Sequence, residues 1–124
     1  MNVGYVANSW YLDNVDVKWD KAYGVDLRAN VPSRLQSKVL GGHGEMWGER
    51  VDPSDFDATV WPRLAAIGER LWSDADDVDA ARPRLENFRC LLLERGVGAA
   101  PLNNSMARAA PVGPGSCTQR RRRI

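Results

Sequence analysis

Two short segments in the first part of the chain have hydrophobic patterns that predict β-strands. Residues 3–12 place large apolar side chains between smaller or polar neighbours, and residues 38–42 form a shorter apolar run that ends in paired glycines. No period holds between them over residues 13–37, so we expect an irregular connection there with one helical turn near residues 16–23.

Helical spacing dominates the next part of the chain. Apolar residues recur at intervals of three or four in one stripe of Phe56, Val60, Leu64, Ile67 and Leu71 and in a second stripe of Trp61, Ala65, Gly68 and Trp72. An apolar face this wide is typical of a helix packed between a sheet and other helices. We expect the helix to begin at residues 52–54, where Asp precedes Pro and Ser, and to be kinked or restarted at Pro62.

A second helix is predicted from the spacing of Ala81, Leu85, Phe88 and Leu92. Asp79 is its expected cap, and Gly96 its expected end. The chain then becomes rich in Asn, Ser, Pro and Gly, and we expect residues 103–124 to form a disordered basic tail. Two parallel strands with covering helices leave open sheet edges and close no core by themselves, so the pattern indicates a piece of a larger α/β protein.

Composition narrows the class of protein. With 44% hydrophobic and 27% charged residues, the chain has the make-up of a globular domain. No apolar run approaches the roughly 18 residues of a membrane span, and the first residues lack the basic and apolar regions of a signal peptide. The net charge of +1 divides into −4 for residues 1–107 and +5 for residues 108–124. We therefore expect no nucleic-acid partner, and a tail that binds nucleic acid or anionic surfaces through Arg120–Arg123 is the weaker alternative.

Two segments place chemistry at the carboxyl ends of the predicted strands. Residues 10–13 (WYLD) and 46–49 (MWGE) each combine a large aromatic ring with a carboxylate. An aromatic face packs on the apolar face of a sugar ring while an acid accepts hydrogen bonds from its hydroxyl groups. The alternative gives these residues structural roles, with the tryptophans in the core and the acids as caps or ion-pair partners.

Other catalytic arrangements find less support. Glu45 and Glu49 would lie roughly 13 Å apart on a strand, whereas the carboxyl groups of a retaining glycosidase lie about 5–5.5 Å apart, so only a tight turn at Gly48 would bring them together. His43 is the sole histidine, and without an HExxH motif or a cysteine cluster we predict no metal site. No phosphate-binding loop or serine nucleophile elbow is present, so we predict no cofactor.

The motifs themselves resemble those of a known family. Residues 41–49 (GGHGEMWGE) and 61–73 (WPRLAAIGERLWS) resemble the GGE-x-x-MWGE and LWPR-x-x-A-x-GERLWS motifs at the end of the catalytic domain of β-N-acetylhexosaminidases of glycoside hydrolase family 20. The WYLD segment, the closing helix over residues 84–96 and Pro101-Leu102 resemble further parts of that pattern. The likeness covers roughly residues 3–102.

The resemblance implies a fold and an activity. The family fold is a (β/α)8 TIM barrel, and residues 1–102 resemble its C-terminal portion, about strands 7–8 and the last helices. The implied activity removes terminal non-reducing N-acetylglucosamine or N-acetylgalactosamine from glycans by substrate-assisted retaining catalysis. The family's Asp-Glu catalytic pair lies on an earlier strand and is absent from this chain, so we expect the chain to be inactive alone. A non-catalytic carbohydrate-binding or interaction fragment is the alternative.

Residue roles follow from the same resemblance. Tyr11 resembles the catalytic tyrosine that orients the substrate's acetamido group. Asp13 resembles the acid at the 6-hydroxyl, Trp47 an aromatic wall of the sugar subsite, and Glu49 the acceptor for the 4-hydroxyl. The Asp13-Asn14 pair suits neutral rather than 6-sulfated sugars. The remaining matches are interpreted as packing and ion-pair residues: Trp61, Arg63, Glu69, Arg70 and Trp72.

The resemblance also concerns the cellular setting. Cys90 resembles a cysteine that secreted and lysosomal members pair near the C-terminus, which implies a disulfide with Cys117 and a lysosomal or secreted full-length protein, with a homo- or heterodimer as its implied assembly. A glycosylation sequon at 103–105 agrees with an oxidising compartment. His43 and Glu45 depart from the pattern, since they replace the Glu and Cys that animal and plant members usually carry.

Overall fold

The computed structural model describes residues 5–14, 17–102 and Cys117. Two strands, β1 (Tyr5–Tyr11) and β2 (Val39–Glu45), pair in parallel with Tyr11 opposite Glu45. The predicted parallel pair is thus confirmed, and the carboxyl ends of both strands lie at the same edge of the sheet. The basic tail expected over residues 103–124 lies outside the described residues except for Cys117.

Four α-helices and a 3-10 helix complete the described structure. They are α1 (Trp19–Tyr23), a 3-10 helix (Ser33–Lys38), α2 (Phe56–Val60), α3 (Arg63–Trp72) and α4 (Val78–Glu94). The helical turn predicted near residues 16–23 is confirmed as α1, and Pro62 separates α2 from α3 as expected.

Several predicted boundaries are wrong, each for a local reason. Strand β2 extends to Glu45, three residues beyond its predicted end, because its glycines pair with β1 rather than ending the strand. Helix α2 begins at Phe56, because the Asp52 carboxylate accepts the Ser54 N–H at 2.7 Å and forms a turn before the helix. The cap of α4 is Asp77, not Asp79, since the Asp77 carboxylate accepts the N–H groups two and three residues ahead at 2.9 and 3.1 Å.

The core has two layers on either side of α1 and α3. Between these helices and the sheet lie Trp10, Leu12, Ala22, Val60 and Ile67. Between them and α4 lie Trp19, Tyr23, Ala66, Ala81, Leu85 and Leu102. The neighbouring residues Ala66 and Ile67 therefore face different layers, which confirms the expected position of this helix between a sheet and another helix.

The second apolar stripe is only partly buried. Trp61 is half-buried and contacts the ring of Phe88 at a centroid distance of 6.2 Å, but Trp72 is 91% exposed. The interpretation of Trp72 as a packing residue is therefore wrong for the described part of this chain, because α3 ends at Trp72 and no described element packs over its ring. Leu40 on β2 is likewise 81% exposed.

The segment after α4 is held against that helix. Arg89 is buried and donates from Nε to the carbonyl oxygens of Ala99 and Ala100 at 3.1 and 2.9 Å. A disulfide joins the adjacent Cys90 to Cys117, with their Cα atoms 5.2 Å apart. The pairing implied by the resemblance is present in the structure. Within the described residues, no helix is long and apolar enough to cross a membrane.

Gly44 allows α3 to approach the sheet. A Cβ atom at this position would lie 2.9 Å from Leu64 Cδ1 and 3.3 Å from Ile67 Cδ1. We expect Gly44→Val to lower the free energy of unfolding by about 1–3 kcal/mol, because overpacking forces neighbouring side chains from their rotamers. Urea denaturation followed by circular dichroism measures this change.

Gly68 provides the matched control for Gly44. It lies in α3, and apart from its chain neighbours and the backbone of its own helix no atom of the described residues lies within 4 Å of a Cβ built on it. Gly68→Ala is therefore expected to raise stability by about 0.5–1 kcal/mol through helix propensity. Equal stability of Gly44→Val and the unmodified chain would contradict the close approach.

Candidate functional site

The candidate site lies where both strands end. Strand β1 ends at Tyr11 and is followed by residues 12–14, and β2 ends at Glu45 and is followed by the loop 46–50. Functional residues concentrate at the carboxyl ends of strands in α/β folds. The sequence-predicted residues on both segments are thereby brought to one edge of the sheet.

Asp13 connects the two loops. It is 1% exposed, and its carboxylate accepts the backbone N–H of Trp47 at 2.8 Å and that of Arg50 at 3.4 Å. Burial alone would raise the pKa of Asp13, but the N–H groups of the 46–50 loop outweigh it and the pKa is lowered. Asp13 therefore stays ionised and fixes the loop that carries Trp47 and Glu49.

Arg63 holds the residues that follow β1 by hydrogen bonds to their backbone. Its guanidinium is buried and donates to the backbone carbonyls of Leu12, Asn14, Val17 and Thr59, the bond to Asn14 measuring 2.8 Å. Burial lowers the pKa of Arg63, partly offset by the negative charge of Asp13. The interpretation as a packing residue is confirmed, but its hydrogen bonds also hold the loop after β1.

Tyr11 and Glu49 meet across the strand ends. The Tyr11 hydroxyl donates a hydrogen bond to Glu49 Oε2. Gly48 has a φ of 76°, in the left-handed region that favours glycine, and this turns the loop back so that Glu49 reaches Tyr11. The bond to Glu49 raises the pKa of Tyr11 to about 12, so the hydroxyl remains a donor at physiological pH.

Glu45 forms a separate cluster beside this pair. One carboxylate oxygen lies 2.5 Å from His43 Nε2, and the other accepts the Trp47 indole N–H at 3.0 Å. The hydrogen bond from Trp47 lowers the pKa of Glu45 most, and the contact with His43 lowers it further. Glu45 and Glu49 thus have different partners despite the turn at Gly48. Among the described residues, no group of three or more His, Cys, Asp or Glu side chains is placed to hold a metal ion.

Two contributions to the site were not recognised as such from the sequence. Arg63 binds backbone carbonyls only because of the path that the chain takes after β1. The one sequence signal for this role is the position of Arg63 directly after Pro62, in the WPRLAAIGERLWS segment that resembles a family motif. The His43–Glu45–Trp47 cluster follows the strand period of two, because residues 43, 45 and 47 alternate with apolar or small residues. This spacing becomes recognisable only when the strand is taken to run to Glu45.

The lowered pKa of Asp13 predicts a pH dependence of stability. A carboxylate whose folded pKa lies below its ordinary value of 3.8 stabilises the fold above that pH, and the contribution is lost as pH falls through the folded pKa. We therefore expect Asp13→Asn to melt at a lower temperature than the unmodified chain at about pH 7, with the difference shrinking at about pH 2. Thermal melts of both proteins across this range test it. Asp76→Asn removes one carboxylate at an exposed position away from the strand ends, and it is the control for the change in charge.

Comparison with known proteins identifies the family. Residues 5–75 match glycosyl hydrolase family 20, catalytic domain. This stretch includes both strands and the loops that follow them. The chain belongs to this family. Family 20 catalytic domains are TIM barrels, which agrees with parallel strands covered by helices.

Family 20 relatives extend the similarity over most of the chain. The chain is 47% identical over 123 residues to beta-hexosaminidase 1 of Arabidopsis thaliana. This match covers 94% of the chain and 22% of that protein. It is 44% identical to beta-hexosaminidase subunit B2 of Dictyostelium discoideum, over 87% of this chain and 19% of that protein. It is 41% identical to human beta-hexosaminidase subunit beta, over 75% of this chain and 18% of that protein. The chain thus spans about a fifth of the length of the relatives it matches.

Proposed function

We propose that this chain supplies one wall of the sugar site of a β-N-acetylhexosaminidase, as strands 7–8 and the last helices of the barrel. Residues 1–102 would form this part, with residues 103–124 as a basic tail. The observation that carries the proposal is the hydrogen bond between Tyr11, at the end of β1, and Glu49, in the loop after β2. These residues are 38 positions apart in sequence and meet at the carboxyl edge of two parallel strands. Membership of family 20 and the beta-hexosaminidase relatives support it.

The proposed roles of Tyr11 and Glu49 are complementary. A tyrosine hydroxyl has one proton to donate, and in the free chain Glu49 accepts it. An N-acetylhexosamine brings an acetamido oxygen that accepts the Tyr11 proton and a 4-hydroxyl that donates to Glu49. Substrate then replaces one protein hydrogen bond by two protein–sugar hydrogen bonds, and the acetamido oxygen is held for attack on the anomeric carbon.

Trp47 and Asp13 complete the proposed wall. The Trp47 ring is 69% exposed at the strand edge, which leaves its face available for packing on the apolar face of a sugar. Asp13 is proposed for the 6-hydroxyl of a neutral sugar on the resemblance alone. It is 1% exposed in the free chain and accepts N–H groups of the 46–50 loop, so this loop has to shift before Asp13 can reach a sugar.

The remaining chemistry is proposed to come from other parts of a longer protein. The general acid/base and the carboxylate that orients the acetamido group are assigned to an earlier barrel strand, so the chain alone is expected to be inactive. Such a protein would act on glycans ending in N-acetylglucosamine or N-acetylgalactosamine, and the naming of several relatives as subunits supports a dimer. The Cys90–Cys117 disulfide supports a lysosomal or secreted location, because disulfides persist in oxidising compartments.

Hydrolysis of a chromogenic N-acetyl-β-glucosaminide tests this function with two proteins. The first is the 124-residue chain, and the second is a chimera in which residues 5–102 replace the matching segment of Arabidopsis beta-hexosaminidase 1. We expect no turnover by the chain and turnover by the chimera, with circular-dichroism melts showing which samples are folded.

Other outcomes identify the alternatives. A folded chimera that binds the sugar without turning it over would favour a non-catalytic carbohydrate-binding fragment. Turnover by the chain alone would contradict the assignment of the acid/base to another strand and would point to Glu45 or Glu49.

A further inference from the structure

The orientation of Trp47 depends on a residue outside the proposed sugar contacts. Its ring is 69% exposed on a loop, so packing restrains it little, and exposed side chains sample several rotamers. The indole N–H, however, donates to Glu45 Oε2 at 3.0 Å. A hydrogen bond to an ionised carboxylate is stronger than one between neutral groups, and it fixes the edge of the ring that it reaches.

Glu45 is itself held from two sides. It is the last residue of β2, opposite Tyr11, so its backbone is paired within the sheet. His43 precedes it by two residues on the same face of the strand, with its Nε2 atom 2.5 Å from Glu45 Oε1. One carboxylate oxygen therefore contacts the imidazole and the other the indole. The lowered pKa of Glu45 keeps it ionised and able to accept both bonds.

We propose that Glu45, braced by His43, is a positioning residue that sets the orientation of the Trp47 ring for sugar packing. Its use for sugar packing rests on the proposed function, but the orientation of the ring is a property of the free chain. The apolar face of a sugar packs on an aromatic side chain only when the plane of the ring is turned toward the sugar. A ring that is already fixed in this orientation loses less conformational entropy when the sugar binds. His43 acts through Glu45, since its Nε2 atom contacts the carboxylate.

The indole N–H resonance of Trp47 provides the test. The 15N-labelled 124-residue chain contains five tryptophans, and Trp47→Phe identifies the Trp47 signal by its loss. We expect Glu45→Ala to shift this signal and to speed its exchange with water about tenfold, which is the ratio for loss of a hydrogen bond of ordinary net strength. Glu45→Gln should restore the signal in large part, because the amide oxygen can accept the indole N–H and its NH2 can donate to His43. His43→Ala should give a smaller change in the same direction.

Glu86→Ala is the matched control. Glu86 is an exposed glutamate on α4, so its replacement removes the same charge without touching β2. An unchanged Trp47 signal in both Glu45→Ala and Glu45→Gln would overturn the proposal, and Glu45→Gln covers the case in which Glu45→Ala does not fold.

Titration of the chimera with N-acetylglucosamine separates the two proposals, because the chimera carries the rest of the proposed site. We expect Glu45→Ala in the chimera to weaken sugar binding about tenfold and Glu86→Ala to leave it unchanged. A Trp47 signal that responds to Glu45→Ala, together with a folded chimera that binds no sugar, would uphold the positioning role and count against the proposed function. Sugar binding that is equal in the chimera and in its Glu45→Ala variant would overturn the use of this orientation in binding.

Discussion

Arg63→Leu is expected to lower the free energy of unfolding by about 3–5 kcal/mol, because several backbone carbonyls lose a charged donor and each one left buried costs about 1–3 kcal/mol. The backbone carbonyls of Leu12, Asn14, Val17 and Thr59 would lose a common donor, and leucine offers no replacement. Because domains are stable by about 5–15 kcal/mol, such a loss removes much of the total. Urea denaturation followed by circular dichroism measures it.

Arg84→Leu is the matched control for Arg63→Leu. Arg84 pairs with Glu69 through Nη2 at 2.5 Å, but its side chain is 49% exposed, so solvent screens the pair. We expect a much smaller effect from Arg84→Leu than from Arg63→Leu. Arg63→Lys should fall between them, since it keeps the charge but loses the planar fork that reaches several carbonyls at once. Equal losses from Arg63→Leu and Arg84→Leu would show that the buried network adds little.

Tyr11→Phe is expected to lower kcat of the chimera by about 100-fold, because the role proposed for Tyr11, orienting the reacting acetamido oxygen, contributes to catalysis more than to binding. KM should change less than kcat. The ring of phenylalanine fills the same space, and β1 remains paired through its backbone. Steady-state hydrolysis of the chromogenic N-acetyl-β-glucosaminide, with a melt of each protein, measures both constants and the fold.

Tyr23→Phe is the matched control, because it also removes one phenol hydroxyl but at a position outside the candidate site. The Tyr23 hydroxyl donates to Glu69 Oε1 at 3.0 Å, within the layer between α1, α3 and α4. Its loss should lower the melting temperature and leave kcat unchanged. If Tyr11→Phe affects turnover no more than Tyr23→Phe does, the assigned role of Tyr11 is wrong.

The fold was predictable where a local pattern decides it. Alternation over residues 3–12 marked β1, and a short apolar run at residues 38–42 marked β2. Pro62 marked the break between α2 and α3, because proline has no N–H to donate within a helix and its ring clashes with the preceding turn. The extension of β2 to Glu45 was not predictable from its glycine-rich sequence, because pairing with β1 and the close approach of α3 at Gly44 determine it. The cap at Asp77 rather than Asp79 also depends on where the chain turns after Trp72.

The candidate site was predictable in part. Aromatic–acid segments at the ends of two predicted strands indicated the edge where Tyr11 and Glu49 meet. The burial of Asp13 beneath the 46–50 loop was not predictable. A carboxylate that accepts backbone N–H groups is indistinguishable in sequence from one that faces solvent. The cluster around Glu45 combines residues on a strand and on a loop, so its contacts depend on the turn of that loop.

The hydrogen bond between Tyr11 and Glu49 has a consequence for ligand selectivity. A compound that offers an acceptor to Tyr11 and a donor to Glu49 replaces the bond it breaks. Under the proposed roles, a sugar with a hydroxyl in place of the acetamido group offers Tyr11 a weaker acceptor than a carbonyl oxygen, and a compound that lacks the 4-hydroxyl offers Glu49 no donor. Because this hydrogen bond lies at the exposed strand edge, water can pair with either side chain, so an incomplete ligand gives up about the net strength of one hydrogen bond. Inhibitors for such a site should therefore retain both groups before any apolar surface is added.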